Sequence, residues 1–553
     1  MRQSCNRGFV DLLPPYGKHQ PQAPLKAFQD TNIRVAQILR ESRTMLHPSE
    51  DAFISADILE LERLQSFYDA QLQQVQYRAV TEALEARRSI RAPIRRLPRD
   101  VLIEIFHLVR HSWWQHVGDD CRWSPITPER QSSLRLDGPL WVLGRVCSFW
   151  RETLHTSPAS WAQNVVVRTP FPKHAREIWQ LYLKRTGEHP LTLQVVGDVG
   201  EPMEEEDETM SFFVQESCHR WKDVIIDVFT MRHMQCLEES ISHLPMLQMI
   251  QIHILDNHHG NYSSDICLKA PQLRRAMLSK QGISQVKLPP CITHYSGRVT
   301  HPDDLRLLSR QSKLRVCHLK LRLSYVEPSV QVPVIMPHVQ CLFVEEMGTL
   351  DLVTLPRLES LVLCMSPRER FSMVTNRITV SEWIAHFLQR SGCYLRSLTM
   401  GHLLLTYCSG FSIHKILTSD TFSTLSFLKV ELQLDRVVEA ENIVQSLTPR
   451  SDAPVLLPNL YHLVLCMMRP VYLPSPDPAQ WHSIVNMIRA RRDAGSLKII
   501  EVQFLEWEWE IKLMDRMKAD IRALTGETLE MRVEEWNPPN EEHWSLWSWP
   551  QYI

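Results

Sequence analysis

The residues of this chain that come closest to a metal-binding set are His253, His258 and His259. They lie in and beside the stretch DNHHGNYSSD, whose polar, turn-forming composition is that of a loop. A zinc site needs a second group of ligands at a characteristic spacing, and no such group accompanies these histidines in the sequence. We therefore expect loop histidines here and predict neither a metal nor a cofactor.

The sequence also lacks the common motifs of catalysis. Neither GxSxG, which presents a nucleophilic serine, nor HExxH, which pairs zinc ligands with a general base, occurs in it. Glycine contributes only 17 of 553 residues, and the phosphate-binding patterns GxGxxG and GxxxxGK[ST] do not occur either. The chain is therefore predicted not to be an enzyme, although catalytic residues scattered along it would escape such patterns.

The overall charge and the cysteines limit which cellular compartment and which classes of partner are expected. With 61 basic and 63 acidic residues the net charge is −2, so no overall field favours nucleic acid or a membrane surface. The 13 cysteines form no CxxC, and several, such as Cys317 and Cys466, sit in apolar runs, which predicts free thiols in a reducing compartment. Since the N-terminus has no apolar signal core and no apolar run approaches ~18 residues, we expect a cytoplasmic or nuclear protein with no membrane partner.

The strongest candidate for binding chemistry is apolar, and it begins at IRRLPRDVLIEIF. Pro98 suits the first turn of a helix, where its missing N–H has no cost. The apolar residues that follow it fall on one wide helical stripe, namely Val101, Leu102, Ile105 and Phe106. A second short helix is predicted in WVLGRVCSFWRETL. Segment 92–165 is too short to bury this much apolar surface by itself, so we expect the stripe to face another protein.

A heptad-like pattern precedes this segment, over residues 51–91. Its apolar positions recur at steps near four and three from Ile54 through Leu61 to Ala79. Two interpretations stay open, a coiled coil and a single amphipathic helix docked on its own chain. Residues 1–50, rich in proline and glutamine, are predicted to be poorly ordered.

From residue 166 onward an internal repeat replaces the helical pattern. Each copy has an apolar residue, two variable ones, an apolar, one variable and an apolar, as in Leu247, Ile250 and Ile252. The other copies begin at Trp221, Leu273, Leu314, Val339, Leu358, Leu395, Leu425, Leu460 and Leu497. Many follow a phrase such as LPML or LPRL, and helical patterns such as SEWIAHFLQR lie between them. This rhythm of strand, loop and helix is typical of leucine-rich repeats.

The segment IRRLPRDVLIEIF, together with the second short helix that follows it, resembles an F-box. The F-box pattern runs from Leu-Pro through an aliphatic helix to Val-Cys-x-x-Trp-Arg and a later Trp. Together with the leucine-rich remainder, the chain resembles the F-box proteins of mushroom-forming (basidiomycete) fungi. The resemblance implies that the adaptor-binding residues are Leu97, Pro98, Val101, Leu102, Ile105, Phe106, Val146, Cys147, Trp150 and Arg151. Residues 110–136 depart from the pattern, because they insert a long, tryptophan-containing segment between the two helices.

The resemblance implies an α/β architecture in which a short helical F-box module, 92–165, follows an amphipathic or coiled-coil helix, 51–91. The remainder, 166–553, would be an irregular leucine-rich-repeat solenoid with a C-terminal cap. Its implied partners are a Skp-type adaptor and cullin scaffold of a ubiquitin ligase and an unknown protein substrate, with no nucleic acid. The alternative is a leucine-rich-repeat interaction scaffold that has no ligase role, in which the two apolar helices cap the solenoid.

Overall fold

The chain forms two compact units, of which the first comprises Met1–Val117 and Leu136–Trp161 and the second comprises Gly118–Arg135 and Ala162–Ile553. The computed structural model describes residues 31–33, 35–37, 47–70, 80–85, 87–88, 94, 97–118, 132–197, 204–228, 231–254, 263–321, 332–364, 380–401, 404, 414, 416–433, 437–449, 455–468, 478–495, 497–505, 519–520, 523 and 530–536. Most of the predicted poorly ordered N-terminal segment and of the C-terminal cap, and residues 119–131 of the insertion, therefore lie outside the described residues.

The first unit is helical. Its helices are α1 (Pro48–Ala70), α2 (Arg99–Gly118), α3 (Pro139–Val146), α4 (Ser148–His155) and α5 (Pro158–Ala162), the last ending one residue beyond the unit. Helix α1 contains the heptad-like pattern, and Leu61 on it is fully buried against Val80 and Leu84 of the same chain. Asp57 of α1 also pairs with the buried Arg87. The described part of the seam is thus covered within the chain, as in the docked-helix alternative.

Within the described residues of the second unit, 14 strands form one parallel sheet, which confirms the α/β class. Its strands are β1 (Val165–Arg168), β2 (Leu191–Val196), β3 (Trp221–Val228), β4 (Met249–Ile254), β5 (Arg275–Gly282), β6 (His294–Val299), β7 (Val316–Leu321), β9 (Cys341–Val344), β11 (Ser360–Leu363), β12 (Ser397–Met400), β13 (Phe427–Gln433), β14 (His462–Met468), β15 (Ile499–Leu505) and β16 (Glu530–Trp536). Strands β8 (Val334–Ile335) and β10 (Val353–Thr354) form a separate parallel pair. The strand order follows the chain order throughout.

Helices connect many of the strands. They are α6 (Ala175–Thr186), α7 (Glu204–Ser217), α8 (Met231–Ser240), α9 (Pro302–Ser309), α10 (Thr349–Leu352), α11 (Val380–Ser391), α12 (Val437–Leu447) and α13 (Pro478–Asp493). Because crossovers between parallel strands are right-handed and all advance in one direction, the connections lie on one face of the sheet. Among the described residues, no helix is both long enough and apolar enough to cross a membrane.

The repeat pattern matches the register of the sheet. The second and third apolar positions of each copy pair with those of its neighbour, as Ile250 with Val224 and Ile252 with Ile226. The same pairing runs from β3 to β15 and produces two continuous columns of side chains on one face of the sheet. Since successive strand residues point to opposite faces, the period-two end of each copy directs both columns toward the core. The prediction of short strands at these copies is confirmed.

The recurring phrase before each copy is a tight turn. In LPML the amide of Leu247 donates to the carbonyl of Leu244, which closes a four-residue β-turn with Pro245 at its second position. The same bond closes the turns at Leu273, Leu358 and the other copies that follow such a phrase. Proline favours this position because its fixed φ matches the turn. The phrase therefore sets where each strand begins.

Buried or half-buried basic side chains join successive repeats. Lys269 donates to the carbonyls of Glu238 and Ile241 at 2.6 Å each, next to the C-terminal end of α8. Arg220, Arg390 and Arg491 bond in the same way to carbonyls at or just beyond the ends of α6, α10 and α12. The last carbonyls of a helix have no partner within it and carry partial negative charge, so a buried cation both satisfies and stabilises them.

Strand β6 breaks the repeat pattern, and Tyr295 explains why. This strand has Tyr295 and Gly297 in the two column positions, so glycine stands where its neighbours have Leu278 and Leu319. A Cβ at position 297 would lie 2.7 Å from the Cζ of Tyr295 and closer still to its hydroxyl. The tyrosine ring is fully buried and occupies the space of the missing side chain. One large and one very small residue thus replace two medium-sized ones.

We expect Gly297→Leu alone to destabilise the second unit by about 1–3 kcal/mol, because overpacking forces the tyrosine ring from its place. Adding Tyr295→Leu should recover most of this loss, since the pair then resembles the other repeats. Urea unfolding, followed by hydrogen exchange in peptides from β5 to β7, measures both effects. A single Gly297→Leu variant as stable as the wild type would contradict the assignment.

Candidate docking surface

The helical module of the first unit has an aromatic core of its own. Phe106 of α2 packs edge-on against Trp150 of α4 with ring centroids 5.1 Å apart, and Trp141 of α3 meets Trp161 of α5 at 5.4 Å. The indole nitrogen of Trp161 also donates to the carbonyl of Leu154 at 3.1 Å. Edge-on aromatic contacts add to the free energy gained from burying the rings. The core thus fixes α2 against the other helices.

Cys147 separates the two short helices and begins the second of them. Its backbone is extended, and its Sγ accepts a hydrogen bond from the amide of Trp150 at 3.5 Å, in the manner of a helix N-cap. Arg151, the next residue after Trp150, donates from Nε to the carbonyl of Gly144 at 2.9 Å and so joins α4 to α3. The pattern Val-Cys-x-x-Trp-Arg therefore has a local structural meaning, a capped helix joined to its neighbour.

Polar contacts hold α2 in place along its length. At its first residue, Arg99 donates to Glu152 of α4 at 2.6 Å and lies over the ring of Phe149. Further along, His107 lies 2.8 Å from the hydroxyl of Ser160, whose carbonyl accepts a hydrogen bond from the buried Arg110. The orientation of α2 about its axis is set by these contacts together with Phe106.

This orientation divides the apolar stripe of α2 into two halves. Leu102 and Phe106 face inward and are fully buried. Val101 and Ile105 each precede one of these buried residues by one position and lie, with Leu108, on the neighbouring face of the helix. On this face Val101 is 39% exposed, Leu108 is 67% exposed and Ile105 is half-buried. Positions 101, 105 and 108 follow the spacing of a single helical face. Helix α2 therefore presents an apolar face after its core contacts have been made.

Helix α3 exposes apolar residues in the same way. Leu140, Trp141 and Gly144 are buried, whereas Val142 is 46% exposed and Val146 is 49% exposed. The two valines are four positions apart and so share one face of the helix. We define the exposed apolar set of this module as Val101, Leu108, Val109, Val142 and Val146.

The predicted adaptor-binding residues divide between the core and the surface. Pro98, Val101, Val146 and Arg151 are exposed, and Leu97, Ile105 and Cys147 are half-buried, whereas Leu102, Phe106 and Trp150 are buried. Three further exposed apolar residues, Leu108, Val109 and Val142, were not among the predicted site residues. Their signal was present as apolar positions in a helical pattern, but only the placement of Phe106 against Trp150 shows which side faces outward.

A polar chain in the second unit resembles a catalytic relay in its order of groups. Ser296 lies 3.0 Å from Nδ1 of His318, whose Nε2 lies 3.0 Å from Glu345, and Lys320 pairs with Glu345 at 2.8 Å. Although burial opposes ionisation, the hydrogen bond from His318 and the charge of Lys320 lower the pKa of Glu345 to about 2. Burial lowers the pKa of His318. Because the Ser296 side chain is fully buried, it offers no nucleophile to a substrate. This series of hydrogen-bonded side chains instead joins neighbouring strands.

A second polar cluster lies farther along the same sheet. The amide oxygen of Gln503 accepts from Lys429 at 3.3 Å and from the thiol of Cys466 at 3.0 Å. Burial raises the pKa of the Cys466 thiol to about 12, so it stays protonated. His462, whose Nε2 lies 3.7 Å from the Glu501 carboxylate, and a hydrogen bond from Gln503 lower the pKa of Glu501, although burial opposes this. These groups satisfy one another across adjacent strands, which is the arrangement of a structural network.

Of the three histidines that the sequence places in a polar loop, His253 lies instead on strand β4, where it pairs with Asp227 at 3.1 Å. The expectation of a loop histidine is therefore wrong for His253, while His258 and His259 fall outside the described residues. Within the part of the chain that the structure describes, no group of three or more histidine, cysteine, aspartate or glutamate side chains could hold a metal ion.

The chain matches no protein-family model and no curated protein sequence.

Trp150→Ala should destabilise the helical module by about 3–5 kcal/mol, because it removes a buried ring and leaves a cavity beside Phe106. Val146→Ala, at an exposed position of α3, should change its stability by no more than about 0.5 kcal/mol. Hydrogen exchange of peptides from α2, α3 and α4 in the full chain measures both. Equal effects of the two substitutions would contradict the division into core and surface.

Acid should destabilise the second unit. Burial, followed by the charge of Arg275, lowers the pKa of His294 from 6.5 to about 4. Between these values the unfolded chain binds a proton that the folded chain does not, so the free energy of unfolding falls as the pH drops from 6.5 toward 4. For this partly exposed ring we expect a loss of about 1–2 kcal/mol. The Glu345 contribution is lost only below pH 4.5.

His294→Gln should flatten the decrease between pH 6.5 and 4.5 and leave the decrease below pH 4.5 unchanged. Urea unfolding at several pH values, read by hydrogen exchange in peptides from β5 to β7, tests this. An unchanged slope in the variant would assign the acid sensitivity to other groups.

Proposed function

We propose that this protein is a non-catalytic adaptor whose helical module docks on the Skp-type adaptor of a cullin-RING ubiquitin ligase. The observation that supports this most directly is the exposed apolar set of α2 and α3. Its members are exposed on a module whose aromatic core is complete without them. Contiguous exposed apolar surface is a frequent property of protein-binding sites. A helical face of this kind fits into an apolar groove of a partner.

The energetics of such a contact are adequate. Full burial of a valine or leucine side chain contributes about 1.5–3 kcal/mol. About half of each side chain in the set is still exposed, so binding can bury only that half. Their combined gross contribution is therefore on the order of 4–8 kcal/mol, to which Pro98 and the half-buried Leu97 and Ile105 add. After the cost of association, a contact in the micromolar range is within reach.

The second unit, in this proposal, is a leucine-rich-repeat solenoid that holds the protein to be ubiquitinated. Its sequential parallel strands, many of them entered through a tight turn, support this. The described cysteines such as Cys317 and Cys466 are free thiols, which supports a reducing compartment, the cytoplasm or the nucleus. The chain itself would perform no chemical step.

The alternative, a repeat scaffold with no ligase role, assigns α2, α3 and α4 to the N-terminal cap of the repeats. In the structure these helices belong to the first compact unit and the sheet to the second. Adaptor capture distinguishes the two functions directly.

The double variant Val101→Glu/Val146→Glu should lose capture of the Skp-type adaptor by at least tenfold, because each carboxylate would have to be buried without a partner. Both positions are exposed in the free chain, so the module should stay folded. Co-purification with recombinant adaptor, quantified by titration calorimetry, measures the loss.

Val438→Glu is the matched control, since this valine on α12 is 69% exposed and lies in the other unit. It should capture the adaptor as the wild type does. If the double variant binds with wild-type affinity, the docking surface is wrong. If the wild-type chain itself binds no adaptor, the scaffold function replaces the proposal.

A further inference from the structure

A row of residues runs along one edge of the sheet, directly before the strands. In each repeat the residue after the turn donates its amide to the carbonyl of its equivalent in the preceding repeat, as Arg315 does to Thr293 at 2.8 Å. We call these residues the edge row: Lys222, Gln248, Arg274, Thr293, Arg315, Gln340, Glu359, Arg396, Ser426, Tyr461 and Lys498. The hydrogen bonds are continuous from Lys222 to Lys498, so successive members lie one strand spacing apart, about 4.8 Å.

The edge row is positively charged, although the whole chain is close to neutral. Five of its members are cationic and exposed, namely Lys222, Arg274, Arg315, Arg396 and Lys498. The only acidic member is Glu359, whose carboxylate lies 3.9 Å from Arg396, at the limit of an ion pair. The whole chain has a net charge of −2, so the row is a local concentration of positive charge.

Neighbouring positions strengthen the charge of the central part. Lys313 and Arg357 occupy the third position of their turns, two residues before the row members Arg315 and Glu359, and both are exposed. Arg310 ends α9 beside the turn that contains Lys313 and is also exposed. Arg275, which follows the row member Arg274 on β5, is a further half-buried cation beside the row.

We propose that the edge row binds an acidic segment of another polypeptide in extended conformation. From Arg274 to Arg396 the row spans five strand spacings, about 24 Å, which an extended chain covers in roughly seven residues. Arginine pairs with carboxylates through two parallel hydrogen bonds, and three arginines stand in this span. The inference rests on the proposed function only in naming the bound segment a substrate, since the row and the adaptor-binding surface share no residue and belong to different units.

An acidic polypeptide fits the row better than a single-stranded nucleic acid. Proteins that bind such nucleic acids place aromatic rings along a basic groove, on which successive bases stack. Between Arg274 and Arg396 the row has Thr293, Gln340 and Glu359 and no aromatic side chain. A carboxylate within the row repels phosphates and carboxylates alike, but a polypeptide can place a neutral residue opposite Glu359, whereas each nucleotide is charged.

The test uses the full chain and a fluorescein-labelled peptide of eight glutamates, with anisotropy as the readout at low and moderate salt. The variant Arg274→Glu/Arg315→Glu/Arg396→Glu should weaken binding at least tenfold. The control Lys173→Glu/Lys184→Glu/Arg489→Glu makes the same change of charge at exposed positions off the row and should weaken it less than threefold. Wild-type affinity should fall as salt rises, because the contacts are exposed.

Equal weakening in both variants would show a general charge effect and overturn the proposal, as would an absence of binding by the wild type. Tighter binding of an eight-nucleotide RNA than of the peptide would overturn it in favour of a nucleic-acid surface. Hydrogen exchange of the triple variant verifies that the sheet stays folded. Adaptor capture by the same variant should be unchanged, so failure here and failure of the proposed function are distinguishable.

Discussion

The second unit depends on one constraint, the burial of two apolar columns that run along a parallel sheet. A single strand with its connection cannot bury side chains such as Ile250 and Ile252, because their neighbours in the columns belong to the adjacent repeats. Each repeat therefore needs the one before it in the same register. The tight turns and the basic side chains at helix ends follow from this requirement, since both hold a repeat at a fixed position against its predecessor.

Much of the sheet could be predicted because the constraint is written into local sequence. A copy such as Leu358, Leu361 and Leu363 encodes a turn, a strand and the face that it buries within six residues. The repeat pattern does not detect strand β6, because Tyr295 and Gly297 together fill the volume that two medium-sized apolar side chains fill in the other strands. The capping cations could not be predicted either. Arg491, for example, bonds to the carbonyl of a residue 44 positions away in the sequence.

The docking surface shows a different limit of sequence reasoning. An apolar stripe as wide as that of α2 has two halves, and the pattern itself does not indicate which half meets the core. The contacts of Phe106 with Trp150, and of Arg110 with Ser160, decide it. The predicted residues Leu102, Phe106 and Trp150 are consequently those that build the module, whereas Val101 and Val146 are those available to a partner.

The same register that buries the columns also aligns the edge row, since a residue at a fixed offset from each strand must stack on its equivalents. The fold determines where these side chains lie but not their chemistry, because an exposed position tolerates most polar residues. A bias that the fold neither requires nor rewards, at Arg274, Arg315 and Arg396, is therefore better explained by what the edge binds than by what it supports.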